Sequence, residues 1–87
     1  MDIRNGENYL LIVADVIAGL QHLRDQSIHT CVTSPPYWGL RDYGFDGQIG
    51  LEKTPEEFVT SLINVFREVR RVLRDDGTLW IGELRAM

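Results

Sequence analysis

The chain has 87 residues, a net charge of −4 and a single cysteine, which bounds it to one domain. A domain of this size buries only about 60–65% of its unfolded surface, so its stability margin is thin. The acidic balance gives no general attraction to nucleic acid, where binding rests on phosphate neutralisation. No apolar run approaches the roughly 18 residues of a membrane span, and Met1-Asp2-Ile3-Arg4-Asn5-Gly6-Glu7 lacks a signal-peptide pattern. Cys31 has no second cysteine to pair with, which fits a cytoplasmic setting.

Residues 1–8 are polar and are expected to be loosely docked. Tyr9-Leu10-Leu11-Ile12-Val13 is a short apolar run that reads as a buried strand. Asp15 then suits the N-cap of a helix over residues 16–23, with Val16, Ile17, Leu20 and Leu23 on one face. A polar turn, Arg24-Asp25-Gln26-Ser27, leads into a second strand over residues 28–33, rich in β-branched side chains. There Cys31 reads as a small core residue.

Thr33-Ser34-Pro35-Pro36-Tyr37-Trp38-Gly39 follows. Two prolines fix φ and remove two backbone donors, and each forces the residue before it into extended geometry. The chain therefore leaves the strand as a stiff loop whose Ser34 and Pro35 carbonyls are free to meet a ligand amine. Its tip bears the aromatic pair Tyr37 and Trp38. Residues 39–53, with four glycines among Arg41, Asp42, Tyr43 and Phe45, predict a long loop of the kind that is usually functional.

Thr54-Pro55-Glu56-Glu57 is a strong helix start: a threonine cap, proline at the first helical position, and glutamate placed for a capping box. Phe58, Leu62, Val65, Phe66, Val69, Val72 and Leu73 form the apolar stripe. Arg67, Arg70, Arg71 and Arg74 crowd the final turns and read as a solvated, dipole-favoured helix end, with phosphate contact the minor alternative. Asp75-Asp76-Gly77 is expected to stop the helix before a third strand over residues 78–81, with Trp80 in the core. His22 and His29 have no partners at metal-ligand spacing, so no metal site is expected.

Strand, helix, strand, loop, helix, strand implies an α/β fold of about three mainly parallel strands with two helices. Ligands in such sheets bind beyond the carboxyl ends of the strands. Asp15 and Ser34-Pro35-Pro36-Tyr37 both sit at such ends, which predicts one shared sheet edge.

Thr33–Gly39, continued by Leu40-Arg41-Asp42-Tyr43-Gly44, resembles the catalytic segment of DNA methyltransferases that act on exocyclic amines, with their (Ser/Asn/Asp)-Pro-Pro-(Tyr/Phe/Trp) signature. The similarity runs on through Gly47-Gln48-Ile49-Gly50-Leu51-Glu52 to about Ile81. It implies a partial Rossmann-like sheet, S-adenosylmethionine as methyl donor and DNA as partner, with cytosine N4 favoured by the leading serine and adenine N6 the alternative. By that resemblance Ser34, Pro35, Pro36 and Tyr37 are catalytic: Tyr37 stacks on the flipped base, while Ser34 and the Pro35 carbonyl accept from its amine. Asp15 would meet the cofactor's adenine amine, and Trp38 and Arg41 would contact DNA.

The chain also departs from the family. It has no Phe-x-Gly-x-Gly cofactor loop, no acidic residue following one, and no target-recognition region. After Ile81 the family continues toward Asn-Leu-Gly-Asp, whereas this chain reads Gly82-Glu83-Leu84-Arg85-Ala86-Met87. These departures predict a single truncated methyltransferase-like domain over residues 1–87, inactive alone, or a non-catalytic remnant serving as an oligomeric binding module. In the family sheet two further strands separate the 9–13 strand from the 28–32 strand. Without them, the two strands are expected either to pair directly, or to leave edges covered by a second copy or a complementing subunit.

Overall fold

The computed structural model describes residues 1–35 and 48–82. Its elements are β1 (Asp2–Asn5), β2 (Leu10–Val13), α1 (Val16–Leu20), β3 (Ile28–Thr33), α2 (Pro55–Val72) and β4 (Leu73–Ile81). The expected α/β class holds, but the sheet does not. There are two two-stranded sheets among the described residues, one antiparallel (β1–β2) and one parallel (β3–β4).

The first correction is at the start of the chain. Residues 2–5 are a strand, paired from Asp2↔Val13 to Asn5↔Leu10. An apolar strand left alone has a full row of unmet donors and acceptors, and for β2 the nearest available edge is its own N-terminal neighbour. Direct pairing of β2 with β3 does not occur.

Asp15 caps α1 as expected: its Oδ2 accepts from the amides of Ile17 at 3.2 Å and Ala18 at 3.3 Å. The helix is shorter than its apolar spacing predicts, ending at Leu20, with residues 21–23 in turns. α2 begins where the sequence places it. Thr54 Oγ1 accepts from the Glu57 amide at 3.2 Å, and the Glu57 carboxylate reaches back to the amide of Lys53, one residue ahead of the cap. The predicted stripe is the buried side: Val69 and Val72 are buried, and Phe58, Leu62, Val65, Phe66 and Leu73 are half-buried.

The end of α2 needs a second correction. The helix stops at Val72, and β4 starts at once with Leu73. The ladder pairs Ile28↔Leu73 and then Thr30↔Thr78, so residues 74–77 are accommodated as an irregularity in β4. Gly77 permits it: a Cβ there would lie 2.9 Å from the Arg74 carbonyl oxygen and 3.0 Å from that of His29. From Thr78 to Ile81 the pairing is regular, as the β-like run predicts.

The third correction concerns the arginines. Arg71 is a clasp, not a solvated end. Its guanidinium donates to the Leu20 and Leu23 carbonyls, both at 3.0 Å, to Asp25 Oδ1 at 2.7 Å and to Glu68 Oε2 at 3.0 Å. The Arg71 and Val72 carbonyls then accept from the amides of Gln26 and Ser27, each at 2.9 Å. The Asp25 hydrogen bond, and after it that of Glu68, raise the Arg71 pKa above its already high value, so the clasp stays charged. It ties the exit of α1 to the end of α2 and sets where β3 begins.

Trp80 is the fourth correction. It is exposed rather than in the core, because among the described residues β4 is covered on one side only, by α2.

Candidate active site

Ser34 and Pro35 follow directly on β3, whose last residue is Thr33, and so lie at the carboxyl end of the parallel pair. Ser34 is exposed and Pro35 half-buried. The ends of the two strands are held together by the Gly82 amide, which donates to the Thr33 carbonyl at 2.8 Å. The approach is close: a Cβ on Gly82 would stand 2.9 Å from Ser34 Oγ. Glycine at this position leaves the serine hydroxyl its space. Sequence reading missed this neighbour, because 48 residues separate Ser34 from Gly82. Pro36, Tyr37, Trp38 and Arg41 lie outside the described residues.

Asp15 is exposed at the carboxyl end of β2 and engaged through Oδ2 as a helix cap. It does not share a sheet edge with Ser34, since β2 and β3 belong to different sheets.

Before α2 the chain is pinned by Glu52, whose carboxylate accepts from the Gly50 amide at 2.9 Å. Partial burial works to raise the Glu52 pKa. The bonds from its own amide, from Gly50 and from the Ser61 hydroxyl outweigh that and hold it below the ordinary carboxylate value.

At the other end of β3 and β4, a groove of about 760 Å³ is lined by Phe66, Val69 and Leu79 together with Arg67 and Arg70. Two further arginines on its lining are already paired, Arg71 with Asp25 and Glu68, and Arg74 with Asp76. The groove is thus a feature of the strand amino ends, away from Ser34.

An exposed hydroxyl and a proline-stiffened backbone, at the carboxyl end of a strand–helix–strand unit, make an acceptor-bearing ligand edge. A family model described as DNA methylase, of the N6/N4 methyltransferase type, matches residues 28–85.

The chain belongs to the DNA methylase family.

Individual relatives agree. Over 72 residues the chain is 54% identical to the type II methyltransferase M.MwoI of Methanothermobacter wolfeii, covering 83% of this chain and 11% of that protein. Over the same length it is 52% identical to M.Cfr9I of Citrobacter freundii and 51% identical to M.SmaI of Serratia marcescens, covering 24% and 25% of those proteins. The matched part of this chain therefore spans a quarter or less of each of these relatives. No solved structure matches it. Among the described residues, no helix is long and apolar enough to cross a membrane.

Proposed function

We propose that this chain is the amine-receiving part of an S-adenosylmethionine-dependent DNA methyltransferase, a single truncated domain that does not act alone. The observation that carries the reading is the exposed Ser34 at the carboxyl end of β3, running straight into Pro35-Pro36-Tyr37. An exocyclic amine is a poor nucleophile because its lone pair is shared with the ring. Ser34 and the Pro35 carbonyl are suited to accept its two hydrogens, which turns the lone pair out of the ring plane. Tyr37 would stack on the flipped base, and Trp38 and Arg41 would contact DNA. Catalysis of this kind rests on positioning and electrostatics rather than on a strong base.

The bound cofactor would supply the methyl group, and the residues described here fit it only in part. Asp15 has the right acceptor chemistry for an adenine amine. Its carboxylate already caps α1, however, and among the described residues no glycine-rich turn leads from a strand into a helix. That supports inactivity in isolation. The same shortfall supports the second reading, a non-catalytic remnant.

Titration of the purified chain with S-adenosylmethionine tests the first point. No binding tighter than about 1 mM, roughly −4 kcal/mol, is expected; tighter binding would refute the incomplete site. The second point is tested in a chimera that carries this chain in place of the matched segment of M.Cfr9I. DNA methylation by the chimera that is lost on Tyr37→Ala supports the amine-receiving role. A folded chimera without methylation supports the remnant.

A further inference from the structure

Four of the chain's nine Lys and Arg residues fall at positions 67, 70, 71 and 74. On α2, Arg67 stands three and four residues from Arg70 and Arg71, so like charges are neighbours on the helix, which costs stability unless counter-charges relieve it. The relief is uneven. Arg71 is paired with Asp25 and Glu68, and Arg74 with Asp76. Arg67 and Arg70 are exposed, and among the described residues neither has an ion pair or a side-chain hydrogen bond.

Both of these arginines line the groove at the amino ends of β3 and β4. Its volume of about 760 Å³ is that of a site for an organic ligand, roughly 300–1,000 Å³. The same lining includes the apolar side chains of Phe66, Val69 and Leu79. A helix end that is merely solvated has no use for apolar side chains beside its cations. The opposing charge is small. Of the lining acids, Asp25 is held by Arg71 at 2.7 Å, which leaves Asp75. The carboxyl end of α2 adds about half a negative charge, less than the two full charges of Arg67 and Arg70.

We propose that this groove binds a nucleoside phosphate, with Arg67 and Arg70 on the phosphate and the apolar side chains beside the base. Guanidinium matches phosphate through paired N–H donors in a fixed geometry. Phosphate alone would leave the apolar lining unused. An apolar ligand alone would cover part of two charged side chains without pairing them, which is costly. A ligand with both parts meets both conditions, and half-buried Phe66 is the aromatic side chain available to a base. Two sources carry this chemistry, a free nucleotide and the phosphate-bearing end of a DNA strand.

The groove is separate from the amine-receiving edge. β3 has six residues, about 20 Å of strand. The groove lies at its amino end, whereas Ser34 follows its carboxyl end. A base in the groove is therefore not the base presented to Ser34, and the site needs neither methyl transfer nor its cofactor.

Calorimetric titration of the full chain with ADP, adenosine, pyrophosphate and a dinucleotide with a terminal phosphate tests the proposal. ADP should bind about tenfold or more tightly than adenosine or pyrophosphate, because only ADP has both parts. Arg67→Gln and Arg70→Gln should each weaken ADP binding about tenfold, with circular dichroism unchanged because both side chains are exposed. The amide resonances of Gln26 and Leu79 should shift with ADP, and those of Thr33 and Gly82 should not. A dinucleotide that binds more tightly than ADP would assign the site to DNA ends, and one that binds more weakly would assign it to free nucleotides; both support a nucleoside phosphate site. Absence of ADP binding at about 10 mM would overturn the proposal, as would undiminished binding in the double variant, or pyrophosphate binding as tightly as ADP. S-adenosylmethionine keeps this test distinct from that of the proposed function, since it has the nucleoside without a phosphate. Its binding in the double variant would refute the incomplete cofactor site and leave the groove assignment intact. Its binding to the wild type alone would overturn the groove's need for phosphate.

Discussion

Val72→Ala probes the packing that holds the site's strands. Val72 is 2% exposed, the most buried apolar side chain among the described residues, and its carbonyl accepts from the Ser27 amide just ahead of β3. The substitution removes two methyl groups. At about 0.8 kcal/mol each the transfer loss is about 1.6 kcal/mol, and a partly collapsed cavity adds about 1 kcal/mol more. Alanine's better helix propensity returns about 0.5 kcal/mol, leaving a net cost of about 2 kcal/mol. A domain of 87 residues has a total stability on the order of 4–13 kcal/mol, so the loss is a sixth to a half of it. Val59→Ala is the control, because that residue is on the same helix and 51% exposed. Losing far less burial, it should keep most of the roughly 0.5 kcal/mol gained in propensity, so it should cost much less than Val72→Ala. Urea unfolding followed by circular dichroism measures both. If Val72→Ala costs no more than Val59→Ala, α2 does not pack on β3–β4 in the way described.

Three further outcomes are expected. Arg71→Ala should speed hydrogen exchange at the Gln26 and Ser27 amides more than Arg67→Ala does, because only Arg71 joins α2 to the α1 exit; equal exchange would remove the clasp. The Glu52 carboxyl is held below its ordinary value of 4.5, so its contribution to stability is complete above that value and lost as pH falls through the lower, folded value. Glu52→Gln should therefore lose less stability than the wild type between about pH 5 and pH 3, by acid titration of the melting temperature. Gly82→Ala in the chimera should cut the methylation rate between about tenfold and a hundredfold by displacing the Ser34 hydroxyl. Its melting temperature should hardly change, and adding Ser34→Ala should cost little more.

What was legible in the sequence was local. The cap at Thr54, the proline after it and the stripe from Phe58 to Leu73 all depend on residues within a few turns of one another, and α2 formed as they predict. The position of Ser34 at a strand end was legible for the same reason. The misreadings share one cause, distance along the chain. Arg71 looks solvated because its carbonyl acceptors, Leu20 and Leu23, are 48 to 51 residues away. β1 looks frayed because Asp2-Ile3-Arg4-Asn5 has one apolar residue, and only the unmet edge of β2 makes it a strand. Trp80 looks like core because aromatic residues in β-like runs usually are, but the sequence cannot say that among the described residues no element covers its face.

That misreading of Trp80 bears directly on function. A residue chosen only to sit on a protein surface need not be tryptophan, and its neighbour Val32, at 78% exposure, gains nothing from water. Both side chains suit a covered face rather than an exposed one. Under the proposed function Ser34 and Pro35 would accept from an amine, and glycine at position 82 leaves the Ser34 hydroxyl its space. Asp15, the residue proposed to meet the cofactor, belongs to the other sheet. Nothing in the described chain fixes β2 beside β3 through a ladder, so the two potential contact points for cofactor and base have no common frame.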